Sequence, residues 1–407
     1  WCRLERMARA LGHSNGFVIR VEDASTPALS GNASLALYDP PGKGTFTVED
    51  DKQKIAPVIK SMIEDKLQYF LMKKDLHNHR FLLSLQRHYL SGLESDWIEC
   101  STGFRCDIDP QVDPSGFTAA RFLHDMAFLK VSQRDAAGWS PLCYAVVQGD
   151  AEVVKALLEK KAHCNDAIKK TKADAHLLAK TSVLDLSAAY CSNDVMKLLL
   201  SSRASVNSCD VLGFNALTAV AMSDNADGAR ILCEANMDPT ARAGPHHHFT
   251  MAASFNSISV MEELCRQSPL DLSCTSDWSL KTCLFHALAA YAGKETILRV
   301  IQARADVNQQ YNIPMKEPLI WMVYRFKRLQ HFISPSAFTR LAYHQHGATP
   351  IMFAVLAGRF ELLQVLQEAG ARMDIKNARG KTVADMASDL QKVTKNWRYS
   401  SIPGQFS

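Results

Sequence analysis

Nineteen glycines and 15 prolines in 407 residues are too few for a collagen-like repeat or a dominant low-complexity linker. Nowhere do about 18 apolar residues follow one another, as a membrane-spanning helix needs, and the segment from Pro318 to Phe326 is cut short by Lys327 and Arg328. A charge excess of one sign is missing too. Forty-six Lys plus Arg against 42 Asp plus Glu leave +4, too little over this length for a nucleic-acid or anionic-membrane footprint. Gly-x-Ser-x-Gly, His-Glu-x-x-His and the kinase and deaminase signatures do not occur. The reading is therefore of a chain that is not an enzyme, with no catalytic residue, cofactor or metal site. The chain starts at Trp1, and Cys2-Arg3-Leu4-Glu5-Arg6 has no apolar core of a secretory signal, so it reads as a piece of a longer product. Its 11 cysteines are odd in number and scattered, and the close pair Cys100 and Cys106 lacks zinc-ribbon spacing. Reduced thiols in a cytoplasmic or nuclear setting fit that pattern. Asn32-Ala33-Ser34 matches a glycosylation triplet of a kind common by chance and is set aside.

What is present is a folded composition, 47% apolar and 22% charged, carrying an internal repeat. From Asp135 the chain runs through a turn with Gly138, a short helical pattern, a break at Gly149-Asp150 and a second helical pattern. The same order returns at 183–207, 213–239 and 348–374. With Ser140 as reference, equivalent positions fall at Ser182, Asn215, His247, Thr282, Glu317, Thr349 and Thr382. Two residues later sits a large apolar anchor: Leu142, Leu184, Leu217, Phe249, Leu284, Leu319 and Ile351. Five residues later sits a mostly small one, including Ala145, Ala252, Ala287 and Ala354. A large anchor with a small residue one turn on lets neighbouring helices interlock. The second helix adds its own apolar pairs, such as Leu157-Leu158 and Leu199-Leu200. Gly149, Gly293 and Gly358 are expected to end the first helices in the left-handed conformation.

A period near 33 with SPLCYA, ATPIMFA and GKTVADMA resembles the ankyrin repeat over about 135–388. The resemblance implies a mainly α, helix-turn-helix solenoid of about seven to eight repeats and partner proteins bound at turn tips and a concave face. The family's Thr-Pro-Leu-His is eroded: Thr-Pro survives at Thr349-Pro350, and the His position holds Cys143, Asp185, Thr218, Thr250, Phe285, Ile320, Met352 and Asp385. Segment 166–181 is an insertion expected as a surface loop or short helix, 117–130 an amphipathic helix capping the first repeat, and 380–391 a closing unit with Asp385, Ser388 and Asp389 facing water.

Residues 1–112 read as a small α+β module, 113–391 as the array, and 392–407 as a flexible tail. In the first module, 16–23, 33–39 and 44–50 are expected as short strands, and 54–93 as two helices divided at Asp75. Pro41-Gly42-Lys43-Gly44 is read as a turn, because a phosphate loop's glycine spacing is missing. His77, His79 and His88 are read as a solvated helix face, His246-His247-His248 as a turn or contact surface, and Cys143, Cys191, Cys233, Cys265 and Cys283 as core. The basic run Arg325, Lys327, Arg328 and His331 reads as solvated surface.

The ankyrin resemblance implies that the residue before each reference position projects near a turn tip. Trp139, Phe214, His246, Lys281 and Lys381, with Trp278 nearby, are therefore the candidate protein contacts. A competing reading has Trp139 and Phe214 packing on adjacent turns as scaffold. The leading function is a non-enzymatic scaffold or adaptor for other proteins, with no nucleic-acid partner and no membrane span. The alternative is the regulatory portion of a larger enzyme, channel or ubiquitin-ligase adaptor, and a weaker third option has 1–112 binding a small ligand.

Overall fold

The computed structural model describes residues 2–12, 18–21, 27–30, 40–44, 46, 50–98, 103–244, 246–273, 277–312, 318–334 and 337–393. They form two compact units, 1–238 and 239–407.

The first unit opens with α1 (Cys2–Leu11) and an antiparallel hairpin of β1 (Val18–Val21) and β2 (Pro27–Ser30), Val18 opposite Ser30. The strand expected over 33–39 lies outside the described residues, as do most of the positions expected to form the strand at 44–50. In α2 (Asp51–Met72) the buried Ile55, Ile59, Ile63 and Leu67 recur every fourth residue, which gives one apolar stripe and hence an amphipathic helix. Asp75 then caps α3 (Leu76–Tyr89), accepting from Asn78 N–H at 3.1 Å. The loop 90–113 leads to α4 (Pro114–Asp125), with Asp113 as cap and Pro114 in the first turn.

Six further helices follow as three pairs. They are α5 (Pro141–Gln148) with α6 (Ala151–Glu159), α7 (Val183–Ala189) with α8 (Asn193–Ser201), and α9 (Ala216–Ser223) with α10 (Ala226–Glu234). The reference positions are the caps of the first helices. Ser140, Ser182 and Asn215 side chains accept from Cys143, Asp185 and Thr218 N–H. First helices stack in the order α3, α5, α7, α9, and second helices as α4, α6, α8, α10. Helix α3 thus extends the row of first helices and α4 the row of second helices. The end of α4 repeats the pattern of the other second helices. Ala127, Lys161, Arg203 and Asn236 are all left-handed, with φ of 49°, 72°, 67° and 67°. The next N–H reaches back in every case: Phe128 to Leu123 O, Ala162 to Leu157 O, Ala204 to Leu199 O and Met237 to Leu232 O, at 2.8 to 3.0 Å.

In α3 the residues from His79 to Gln86 are all buried, because the helix lies between α2 and α5. The solvated face expected for His77, His79 and His88 is therefore not found. Insertion 166–181 folds back on the same helix. A short 3₁₀ turn (Ala173–Ala175) leaves Ile168 and Leu177 buried, and Lys172 Nζ donates to Asn78 Oδ1 at 2.5 Å.

The second unit has a minimal hairpin of β3 (Arg242–Ala243) and β4 (His246–His247), then α11 (His248–Ser254), α12 (Ile258–Gln267), the single turn α13 (Trp278–Lys281), α14 (Cys283–Ala289) and α15 (Lys294–Gln302). It continues with α16 (Pro318–Ile333), α17 (Ala337–His344), α18 (Pro350–Leu356), α19 (Leu363–Glu368) and the closing α20 (Val383–Val393). The inner stack runs α11, α14, α18, α20. Helix α14 packs directly on α18, with Phe285 and Phe353 rings 4.8 Å apart, so 317–346 is not a repeat of the stack. It is an insertion built from the 16-residue α16 and the shorter α17. Its neck is closed where Tyr311 N–H donates to Ala348 O at 2.8 Å and Gly347 N–H to Tyr311 O at 2.9 Å. Glu317 itself lies outside the described residues.

Gly293 also departs from expectation. Its φ is −64°, Tyr291 takes the left-handed place at 58°, and Gly293 N–H instead donates to Asn256 Oδ1 at 2.7 Å. The 41–43 segment is a 3₁₀ turn in which a Cβ on Gly42 would meet Ser91 O at 2.4 Å, so close backbone approach explains the glycine.

Candidate functional site

The anchors Leu142, Leu184, Leu217, Phe249, Leu284 and Ile351, and the small Ala145, Ala252, Ala287 and Ala354, are all fully buried. Burial extends round the inner helices: Pro141–Val147, Val183–Ala188, His248–Ala253 and Pro350–Leu356 are buried without a break. Cys143 and Cys283 belong to this interior, and burial pushes both thiols up to about 12, far from a reactive thiolate. Cys191, by contrast, is exposed, at a left-handed position with φ 53°.

Turns join the repeats, and three of them share one construction. At 135–139, 210–214 and 377–381 an Asp or Asn accepts twice through its Oδ1, from the N–H groups two and four residues on. The first N–H of each turn donates to the last carbonyl at 2.9, 2.9 and 3.0 Å. The side chain does the work of a missing strand partner and fixes the turn's shape.

The six candidate contacts are placed very differently. Trp139 is the correction: it has no exposed surface, since its ring lies 5.4, 5.5 and 5.2 Å from those of His77, Phe81 and Tyr144. It is scaffold, covered by α3 from far upstream. Beneath it Tyr144 OH donates to Asp135 Oδ2 at 2.5 Å, and His77 Nδ1 lies 2.6 Å from Tyr144 OH. Burial would raise the Asp135 carboxyl, yet hydrogen bonds from His77, Tyr144 and Trp139 N–H outweigh it and hold it at about 2.

Phe214 is half-buried under its turn. His246 and Trp278 are half-buried and stacked on each other at 6.5 Å, and the Trp278 indole N–H donates to Asn312 O at 2.8 Å. Lys281 is exposed, whereas Lys381 is half-buried with Nζ 3.1 Å from Asp389 Oδ2. The positions missed by sequence reading are Val211 and Leu212, 52% and 57% exposed at the tip of the 210–214 turn. The available signal was two adjacent apolar residues between Asp210 and Gly213, where a turn is normally polar.

A groove of about 520 Å³ lies in the first unit, lined by Lys43, Arg87, His88, Tyr190, Cys191 and Asp194 among others. Its α3 wall holds the stack together: Arg87 donates to Gly149 O and His88 Nε2 meets Val147 O, each at 2.8 Å. Burial lowers the His88 imidazole, against the opposing pull of that carbonyl. Among the described residues no three His, Cys, Asp or Glu side chains are placed to hold a metal ion, and no helix is long and apolar enough to cross a membrane.

Stacked helix pairs, turns of fixed shape between them and a buried anchor per pair define a helical-repeat solenoid. Residues 137–169 match the ankyrin repeat family, so the chain carries an ankyrin repeat there. The crystal structure of the human ASB11 ankyrin repeat domain is similar over 61% of this chain and 92% of that one, at 20% identity and a TM-score of 0.45. No curated protein matches the sequence. An ankyrin-repeat array is a protein–protein interaction module.

Proposed function

We propose that the chain is a non-enzymatic scaffold or adaptor that holds a partner protein on the turn tips of its array. The observation behind this is the 210–214 turn, where Val211 and Leu212 are more than half exposed on a loop locked by Asp210 Oδ1 at 2.8 and 3.1 Å from Leu212 and Phe214 N–H. An apolar pair on a pre-ordered turn desolvates on contact and loses little conformational freedom, which is how a small patch anchors an interface. Proximity labelling in cells with the intact chain and with Val211→Asp/Leu212→Asp tests it. The double variant should lose most of the labelled set, by about tenfold or more for direct partners, with an unchanged melting curve. An unaltered set would remove the turn tips from the function.

A further inference from the structure

The inserted hairpin carries a surface that neither the repeats nor their turn tips account for. On α16, Met322, Phe326, Leu329 and Ile333 are 58%, 64%, 58% and 87% exposed, with Phe332 beside them at 69%. The steps between the first four are four, three and four residues, which aligns them in one seam along the helix. The opposite side is already used: His331 stacks on Tyr343 of α17 at 4.9 Å, and its Nδ1 lies 3.2 Å from Thr339 Oγ1. A row of large apolar side chains in water, on a helix whose other face is anchored, marks an interaction surface.

Charge decides what covers it. From Pro318 to Phe360 the chain has no Asp or Glu, while it carries Arg325, Lys327, Arg328, Arg340 and Arg359. Arg325 and Arg328 fall along one edge of the apolar row, one and two residues from Phe326, and Gln330 falls along the other with Lys327, whose Nζ donates to Gln330 Oε1 at 2.9 Å. A second copy of this chain would bring arginine against arginine. The segment 394–407 adds Lys395 and Arg398 and no carboxylate side chain, so it does not complement the hairpin either. The alternating four-three spacing is that of a helix seam receiving the knobs of another helix, and basic side chains without a carboxylate on its flanks ask for a partner with acidic flanks. We infer that α16 docks an amphipathic helix of a partner protein, with Leu-like residues meeting Met322, Phe326, Leu329 and Ile333 and Asp or Glu along the edge facing Arg325 and Arg328.

The test uses the full chain and a fluorescent synthetic helix of about three heptads, with Leu in the seam and Glu on the flanks, beside a twin carrying Lys on the flanks. The Glu helix should bind at least about tenfold more tightly than the Lys helix and weaken at higher salt. Phe326→Ala/Leu329→Ala should abolish binding with the melting curve unchanged, because both side chains are exposed. Arg325→Glu/Arg328→Glu should reverse the preference toward the Lys helix. Equal binding of the two helices, binding of neither, or a Glu-helix affinity indifferent to the Phe326 and Leu329 changes would overturn the assignment. So would capture by vesicles of phosphatidylserine and phosphatidylcholine at about 1:3 that the same double variant abolishes, which would make the seam a lipid-surface contact. A concentration-dependent dimer in sedimentation that Leu329→Ala dissolves would overturn it in favour of self-association. Val211→Asp/Leu212→Asp should leave Glu-helix binding intact, so failure here and failure of the turn-tip reading are separable.

Discussion

Two aspartates in the same hydrogen-bonding frame show how burial can reverse the sign of a pKa shift. Asp385 accepts from Thr382 N–H at 2.8 Å in the open, and those bonds lower its carboxyl. Asp185 accepts from Ser182 N–H at the same 2.8 Å, yet it is buried, and its Oδ1 has no partner among the described residues. Burial there outweighs the Ser182 hydrogen bonds and pushes the carboxyl from 3.8 to about 7. Between those values the folded chain binds a proton that the unfolded chain does not. The stability from this group is therefore complete below the unfolded value and lost as pH rises through about 7, with a limiting slope near 1.4 kcal/mol per pH unit. Urea melts at about pH 5 and about pH 8 should show the wild type losing more stability across that interval than Asp185→Asn, which keeps an acceptor for Ser182 N–H and does not titrate. Parallel losses in both proteins would show that Asp185 does not carry the dependence.

At the scale of elements, one turn design recurs with different surroundings. Gly138 and Gly380 hold the same position in their turns, with φ of 79° and 71°. A Cβ on Gly380 would meet nothing within 4 Å, whereas on Gly138 it would come 2.5 Å from Lys169 Cβ of the 166–181 insertion. Gly380→Ala should cost about 1 kcal/mol for the left-handed backbone alone, and Gly138→Ala at least about twice that, since the insertion must also move. Chemical denaturation of the two single variants measures the difference, and equal costs would mean that the insertion yields freely. The repeats were legible because each carries its own signal: a capping residue, an anchor two positions on and a small residue five on, as in Ser140, Leu142 and Ala145. Helices α3 and α4 escaped that reading because the 90–113 loop separates them in sequence, while α3 stacks on α5 and α4 on α6. For Trp139 the sequence supports both a turn tip and a scaffold position, for a related reason. Its position before a cap says turn tip, and only the return of α3 from 62 residues upstream at His77 puts it in the interior.

At the scale of the molecule, the array tolerates interruption wherever the chain re-enters beside the place it left. The period alone would have 317–346 as a repeat, since its length is close to the period, but α16 is twice as long as a first helix and α14 finds α18 without it. Length was readable; the stacking partner was not, because it depends on which helix lies alongside in space. Replacing 313–346 by a linker of about four Gly and Ser residues should leave a single cooperative melt of the second unit, with a modest loss of stability from Asn377 and Arg379, which bond to His344 O and Tyr343 O. The shortened chain should lose the Glu-helix site and keep turn-tip labelling. A second unit that fails to fold would show the hairpin to be part of the stack after all.

The paired hydrogen bonds between Tyr311 and the 347–348 backbone have a consequence for how such a protein can change over time. Because the neck is secured on the array's side, whatever is spliced between Asn312 and Gly347 inherits a ready-made foundation. Drift, duplication or wholesale exchange of that stretch can rewrite which neighbour the protein recruits, while the stacked pairs on either side go on folding as before.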